Sequence, residues 1–246
     1  WYHQHDIGHH AYTNIGHKDP DLAHSPQLLR EHESVRWKKQ HENQESWWVF
    51  GLIWSIAVGF GMQFTNDLRA NVKGAYNNSV GYERLNPMRM ACHLFGRLFY
   101  VYFTMVWPFF KSEFGWGKTL AFAFLPPIFF SWSFMLNSQI NHLTENTAHA
   151  KDDNFLKHQI VTAQDFGAGN WWCTFFSGGL NMQLEHHCFP CVNHCHLSAL
   201  QPKLRAICLK HGINYWEVDG YASAFKTHID HTNKMGVRPF VDDHDH

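Results

Sequence analysis

The sequence predicts an all-helical protein in which a membrane-embedded helical hairpin carries a histidine-rich helical cap on its cytosolic side. Three apolar stretches, at about 47–64, 93–110 and 119–136, approach the ~17–25 residues needed to cross a bilayer. Aromatic residues make up 16% of the chain, and such residues suit membrane interfaces. The 21 histidines include adjacent pairs near both ends of the chain. We expect residues 1–246 to form a single domain.

The first histidine cluster lies at the start of the chain, in His5-Asp6-Ile7-Gly8-His9-His10. On an α-helix, residues four apart share a face and neighbours diverge by roughly 100°. His5 and His9 should therefore stack, with His10 turned aside, so that one helix offers nitrogens to two metal ions. The sequence Asp19-Pro20-Asp21-Leu22 indicates a turn after this helix. Residues 26–46 are polar and are predicted to form a solvated helix that faces the lipid headgroups.

The positions of the two histidine clusters limit how many of the apolar stretches can cross the membrane. If both clusters build one site, they lie on the same side of the membrane, and the chain between them crosses an even number of times. The segment 93–136 is the better hairpin, because residues 111–118 suit a short loop. We therefore interpret 47–64, which is rich in glycine, as an interfacial or re-entrant element. A soluble helical core is the competing interpretation.

The second cluster, Gln183-Leu184-Glu185-His186-His187, follows the same spacing rule. Gln183 should lie under His187, with His186 turned aside. His142 comes directly after the last apolar stretch, on the side of the membrane where the clusters lie. The strong nitrogen donors are thus His5, His9, His10, His142, His186 and His187, with Gln183 as a weaker candidate.

Imidazole suits iron, zinc and copper. Soluble di-iron bundles use Glu and Glu-x-x-His ligands, and the sequence shows no such set. Many neutral histidines beside apolar spans therefore indicate a dinuclear iron centre that acts on a lipid. The carboxylates of Asp6, Asp165 and Glu185 are predicted to accept hydrogen bonds from ligand histidines and fix their tautomers.

Other site types have weaker support. A zinc-type cluster is conceivable at the cysteines and histidines of residues 188–196, although no second pair at finger spacing completes it. The formal net charge of −1 gives no indication of a nucleic-acid partner. The sequence contains no Ser-His-Asp elbow, phosphate loop or nicotinamide fingerprint.

The two clusters resemble motifs of one family. HDIGHH, followed by AYTN and DPDL, resembles the second histidine box of the membrane fatty-acyl desaturases, and QLEHHCFP resembles their third box with Gln in place of its first His. That Gln is typical of front-end desaturases, which insert a double bond between an existing one and the carboxyl end of a polyunsaturated acyl chain. Sphingolipid desaturases share it. QINHL resembles the family's extra histidine, and the resemblance covers essentially the whole chain.

The resemblance implies oxygen-dependent removal of two hydrogens by two iron ions, with electrons from cytochrome b5 and its reductase. It also implies unsaturated fatty acid biosynthesis in the endoplasmic reticulum membrane, with the boxes facing the cytosol. His194 would support a ligand, and Trp171 and Trp172 would lie beside the acyl chain. The first histidine box and any cytochrome b5 domain are expected before residue 1, so we expect residues 1–246 alone to be inactive.

Three alternatives remain open. A di-iron lipid hydroxylase has similar boxes but retains oxygen in its product. A membrane electron-transfer protein with bis-His haem would place single histidine pairs within its spans and show a haem absorption band. A non-catalytic relative would bind lipid without turnover.

Overall fold

Helices dominate the part of the chain that the computed structural model describes, which comprises residues 3–23, 29–44, 46–60, 71–76, 80–81, 85–110 and 112–239. The first helix, α1, has a π-helical part, His3–His9, and an α-helical end, His10–Tyr12. The others are α2 Trp47–Ile56, α3 Pro87–Val101, α4 Gly115–Ser138, α5 Phe155–Val161, α6 Trp171–Ser177, α7 Gln183–Cys188, α8 Leu197–His211 and α9 Tyr221–Gly236. The all-helical prediction is confirmed.

Two short strand pairs accompany the helices. Strand β1, Ala75–Tyr76, pairs antiparallel with β2, Val80–Gly81. Strand β3, Asp165–Phe166, pairs in parallel with β4, Glu217–Val218, and thereby joins the segment before α6 to the segment before α9.

Helix α4 is the one described helix that is long and apolar enough to cross a membrane. It runs for 24 residues and continues through Pro126 and Pro127 without a break. Large apolar side chains along it are exposed, among them Phe122, Leu125 and Phe129. A helix with such a surface would be poorly soluble in water, and a lipid environment suits it better.

The chain before α4 folds back along it. Asn86 caps α3 by accepting a hydrogen bond from the Arg89 amide at 2.9 Å, and Pro87 occupies the first turn. The helical path then continues through Tyr102–Val106 and Trp107–Phe110, and the turn Ser112–Phe114 leads into α4. The segment 93–136 thus has the shape of a helical hairpin, and its insertion into a membrane stays a prediction.

Helix α2 packs closely against α4. The Ser131 hydroxyl accepts hydrogen bonds from the backbone amides of Val58 at 3.2 Å and Gly59 at 2.5 Å. The backbone of Gly59 lies so near Pro127 that a Cβ at residue 59 would overlap the Pro127 carbonyl. This close approach explains why a glycine stands there. Residues 61–64 lie outside the described part, and the interfacial or re-entrant nature of 47–64 stays a prediction.

An aromatic core joins α2 and α4 to the cap. Phe50 and Trp54 of α2 are fully buried. The Trp54 ring lies 5.2 Å from Trp132 of α4 and 5.8 Å from Phe225 of α9. This contact fixes the end of α4 that leads into the cap.

The predicted solvated helix over residues 26–46 is wrong for the described residues 29–44. The single helical element there is the short turn Lys39–His41. Gln44 is fully buried. Its side-chain oxygen accepts a hydrogen bond from the Arg30 amide, and its side-chain nitrogen donates to the carbonyls of Arg30 and Thr232. Arg30 donates to the Met235 carbonyl. Two polar side chains of this segment, Arg30 and Gln44, thus hydrogen-bond backbone groups near the end of α9, while others, such as Lys39, face solvent.

We expect Gly59→Ala to destabilise the protein by about 1–3 kcal/mol, because the added methyl group forces α2 away from α4. Gly96→Ala in α3 is the matched control, since a Cβ there meets no atom within 4 Å. Alanine at residue 96 should be neutral or stabilise by up to about 1 kcal/mol. Thermal unfolding in detergent would measure both, and equal midpoints for the two variants would contradict the close packing.

Candidate metal centre

Six histidines from three segments converge near the C-terminal end of α4. They form two groups, and within each group one ligand nitrogen per residue lies within 4.8 Å of the others. The inner group comprises His9, His142 and His187. The outer group comprises His5, His10 and His186.

The three rings of the inner group turn the same nitrogen towards one point. Nε2 of His142 lies 3.1 Å from Nε2 of His187 and 3.4 Å from Nε2 of His9. All three residues are buried. Nitrogens at such distances repel one another when each carries a lone pair, so a cation or a proton must lie among them.

Hydrogen bonds on the far side of two rings determine which nitrogens carry lone pairs. The Nδ1–H of His142 donates to the Thr162 carbonyl at 2.9 Å. The Nδ1–H of His187 donates to Gln159 Oε1 at 2.9 Å. The amide nitrogen of Gln159 donates to the His10 carbonyl, which fixes Oε1 as the acceptor. Each neutral ring therefore presents an unprotonated Nε2 to the centre, which is the form that binds metals.

His9 has a carboxylate partner in the same role. Its Nδ1–H donates to Asp19 at 3.1 Å. Burial alone would lower the pKa of His9, but the charges of Asp19 and Asp21 and the Asp19 hydrogen bond outweigh it and raise the pKa to about 9. Burial and the neighbouring histidines hold the pKa values of His142 and His187 well below the usual range. The Asp19 and Asp21 carboxylates thus favour positive charge at the inner group, as a metal site requires.

The outer group has buried nitrogens without hydrogen-bond partners among the described residues. Neither ring nitrogen of His10 nor of His186 has one. Burial and the adjacent histidines lower the pKa of His10 to about 2 and that of His186 to about 3. Buried polar atoms are nearly always paired, so four unpaired imidazole nitrogens fit a bound cation. The donor set is therefore suited to two metal ions.

The π-helical winding of α1 arranges the first cluster. The rings of His5 and His9 stack at 5.0 Å, as the four-residue spacing predicts. His10 is not turned away, however, because a π-helix bonds residues five apart and brings His10 back towards His5, at 4.9 Å. Each cluster supplies both groups, and the first places His5 and His10 in the outer one and His9 in the inner one. That one helix serves two metal positions stays a prediction.

Gln183 lies at the inner group but presents its amide nitrogen. Its Nε2 donates to Nε2 of His142 at 2.9 Å, and its Oε1 accepts from Asn141 at 3.2 Å. The Asn141 amide also donates to two backbone carbonyls, which fixes its orientation. Gln183 therefore supports His142 in this arrangement, and its role as a weak metal ligand stays a prediction.

The carboxylates that contact the histidines differ from those predicted. Asp6 is exposed, and no described histidine is hydrogen-bonded to it, to Asp165 or to Glu185. The contacts come from Asp19 to His9 and from Asp21, whose Oδ2 lies 3.1 Å from Nδ1 of His5. The sequence Asp19-Pro20-Asp21 could have indicated these contacts, because a turn after α1 brings both carboxylates back towards that helix.

An apolar cavity of about 600 Å³ leads to both histidine groups. Its described lining includes Phe130 and Phe134 of α4 and Phe175 and Phe176 of α6. His194 also lines it, with its ring 5.6 Å from that of His186. Trp171 and Trp172 were expected there, but they lie one turn earlier on α6 and remain exposed, outside the described lining.

The zinc-type alternative has no geometric support. All six cysteines are free, and none belongs to a group of potential metal ligands among the described residues.

A family model described as "Fatty acid desaturase" matches residues 1–219. The chain belongs to this family. The resemblance of its histidine clusters to desaturase boxes is thereby confirmed.

Several desaturases are similar to the chain. The Delta(5) fatty acid desaturase A of Dictyostelium discoideum is 28% identical, over 97% of this chain and 53% of the relative. The acyl-lipid (8-3)-desaturase of Mortierella alpina is 27% identical, over 97% and 54%. Fatty acid desaturase 3 of Homo sapiens is 27% identical, over 96% and 50%. The chain thus spans about half the length of these curated relatives. No solved structure matches it significantly.

We expect Asp19→Asn to weaken metal binding by about 10–100-fold, because the carboxylate that orients His9 and balances the cation charge is lost. Asp6→Asn is the control, since Asp6 is exposed and its side chain has no hydrogen bond to a described histidine. Metal stoichiometry of the purified variants measures the effect. Equal metal content in the two variants would contradict the assignment of Asp19.

Proposed function

We propose that this desaturase family member carries out front-end desaturation of a polyunsaturated fatty-acyl chain, with two iron ions held by the inner and outer groups. The observation that carries the proposal is the pair of histidine groups, with their unpaired buried nitrogens, at the end of an apolar cavity. Bound iron, with O2 and electrons from cytochrome b5 and its reductase, would supply oxidising power that no side-chain acid or base has.

The residues of the chain hold and orient this centre. His9, His142 and His187 would hold one ion, and His5, His10 and His186 would contribute to holding the other. The Thr162 carbonyl, Gln159 and Asp19 keep the protons of the inner group on Nδ1, so that Nε2 is available. Ligands supplied by a first histidine box are part of this proposal.

The cavity supports an acyl substrate. Its aromatic side chains would pack against the acyl chain, and its histidine end would place the reacting methylene groups beside the metal. Two of its aromatic residues belong to α4, the proposed membrane helix, so the cavity adjoins the lipid phase. The front-end class is supported by Gln183 and by relatives that are named Delta(5) and (8-3)-desaturases.

The membrane arrangement follows from the same elements. We propose that the hairpin 93–136 spans the membrane, that 47–64 lies at its interface, and that the histidine groups face the cytosol at the endoplasmic reticulum. Lys and Arg residues in 26–46 and at positions 203, 205 and 210 support this orientation. The exposed aromatic face of α6 would lie at the same interface, beside the cavity.

Expression of the complete coding sequence in yeast, with defined polyunsaturated acids in the medium, tests the activity. Gas chromatography should show a product lighter by two hydrogens. A product that has gained oxygen would indicate a hydroxylase. Stoichiometric haem without non-haem iron would indicate an electron-transfer protein, and absence of product with iron present would indicate a lipid-binding relative.

In the complete protein, His9→Ala or His187→Ala should abolish the product, because each removes a nitrogen from the inner group. Both variants should remain in the membrane fraction, since neither residue lies in the hairpin. Immunoblots of membranes and gas chromatography measure the two properties. Normal turnover in either variant would refute the ligand assignment.

Gln183→His should be tolerated better than Gln183→Ala, because histidine restores a nitrogen next to His142. Alanine leaves His142 without this partner. Product yield at matched protein levels measures the difference, and equal yields would show that Gln183 does not act at the metal.

A further inference from the structure

Helix α7 carries His186, His187 and Gln183, yet little within it fixes its position. It has six residues, too few for a helix to be stable by itself. Met182 stands at its N-cap position and provides no side-chain hydrogen bond. The orientation of these three donors must therefore depend on contacts from outside the helix.

Asp165 supplies the missing contact at the start of α7. Its Oδ1 accepts a hydrogen bond from the Leu184 amide at 3.0 Å, and the Asp165 side chain is fully buried. Asp165 itself is held by strand β3, where its amide donates to the Trp216 carbonyl at 2.9 Å. A carboxylate anchored to a strand thus fixes the first turn of the helix.

The next residue of the same strand fixes the loop before α7. The Phe166 amide donates to the Asn181 carbonyl at 3.0 Å, and the Asn181 side chain donates to the Phe166 carbonyl at 3.2 Å. Strand β3 therefore determines both the approach of the chain to α7 and the position of its first turn.

Tyr215 joins this anchor to a second point on the helix. Its hydroxyl is hydrogen-bonded to Asp165 Oδ2 and lies 3.0 Å from Glu185 Oε1. Glu185 is fully buried and directly precedes His186. The cluster of Asp165, Tyr215 and Glu185 contacts no described histidine ring by hydrogen bonds, so it can act on the histidines through the helix backbone.

We propose that Asp165 and Tyr215 are positioning residues for the metal centre, which hold α7 so that His186 contributes to the outer group and His187 to the inner group. The proposal rests on the proposed function of those groups as metal sites. It assigns a role in metal binding to strand β3 and to the segment that leads into β4, both of which lie outside the two histidine clusters.

Tyr215→Phe tests the proposal, with Tyr221→Phe as the matched control. Tyr221 is also partly buried and also donates its hydroxyl to a side chain of another segment, Asn137 at 2.6 Å. Cobalt(II) titration of the purified complete protein, stripped of metal, gives affinities and the d–d absorption spectrum of the bound ion. Tyr215→Phe should weaken binding by about 10–100-fold and alter the spectrum, whereas Tyr221→Phe should change neither.

Two Asp165 variants provide a test by conservative replacement. Asp165→Asn keeps an oxygen for the Leu184 amide and should retain more cobalt affinity than Asp165→Ala. Equal cobalt affinity in the two tyrosine variants would overturn the positioning role, as would lower thermal stability of Tyr215→Phe with unchanged affinity and spectrum. If Asp165→Ala does not fold, the comparison of Tyr215→Phe with Tyr221→Phe tests the positioning role by itself. A wild-type protein that binds no metal would instead refute the proposed function.

Discussion

Mutual repulsion of imidazole nitrogens is the constraint around which the cap is arranged. Nε2 of His142 lies 3.1 Å and 3.4 Å from the Nε2 atoms of His187 and His9 in a buried site. Each of the three rings has its Nδ1 proton held by a different kind of acceptor: a backbone carbonyl, an amide oxygen and a carboxylate. Such an arrangement is unfavourable by itself and becomes favourable when a cation enters it. The surrounding hydrogen bonds prevent the rings from rotating apart.

A polar network keeps the segments that carry these rings in register. The side-chain amide of Asn14 donates to the carbonyls of His142, Thr147 and Thr162 at 2.9–3.3 Å. The His158 ring donates to the Thr13 carbonyl. These groups are buried, so the loss of one partner leaves others unsatisfied, at about 1–3 kcal/mol each. Buried hydrogen bonds to backbone carbonyls thus fix the arrangement of the cap as much as apolar packing does.

The sequence permitted prediction of the helical class and the family, and it singled out the histidines that the fold brings together, because adjacent histidine pairs and apolar stretches are local signals. It did not permit prediction of the partners, because Asp19, Gln159 and the Thr162 carbonyl acquire their roles only when distant segments meet. The place of His10 depended on π-helical winding, which the usual helical spacing does not anticipate. The irregular course of residues 29–44 has a similar cause, because the buried side chains of Arg30 and Gln44 bond backbone groups of α9.

Helix α4 forms part of the cavity wall, and this limits where a bound lipid can lie. Phe130 and Phe134 line the cavity near the end of a helix that would cross the bilayer, so an acyl tail bound there would run beside aromatic side chains as it approaches the histidines. A headgroup, by contrast, would remain at the water boundary. Under the proposed function, the distance from that boundary to the histidine groups would set how far from its carboxyl end the acyl chain is oxidised.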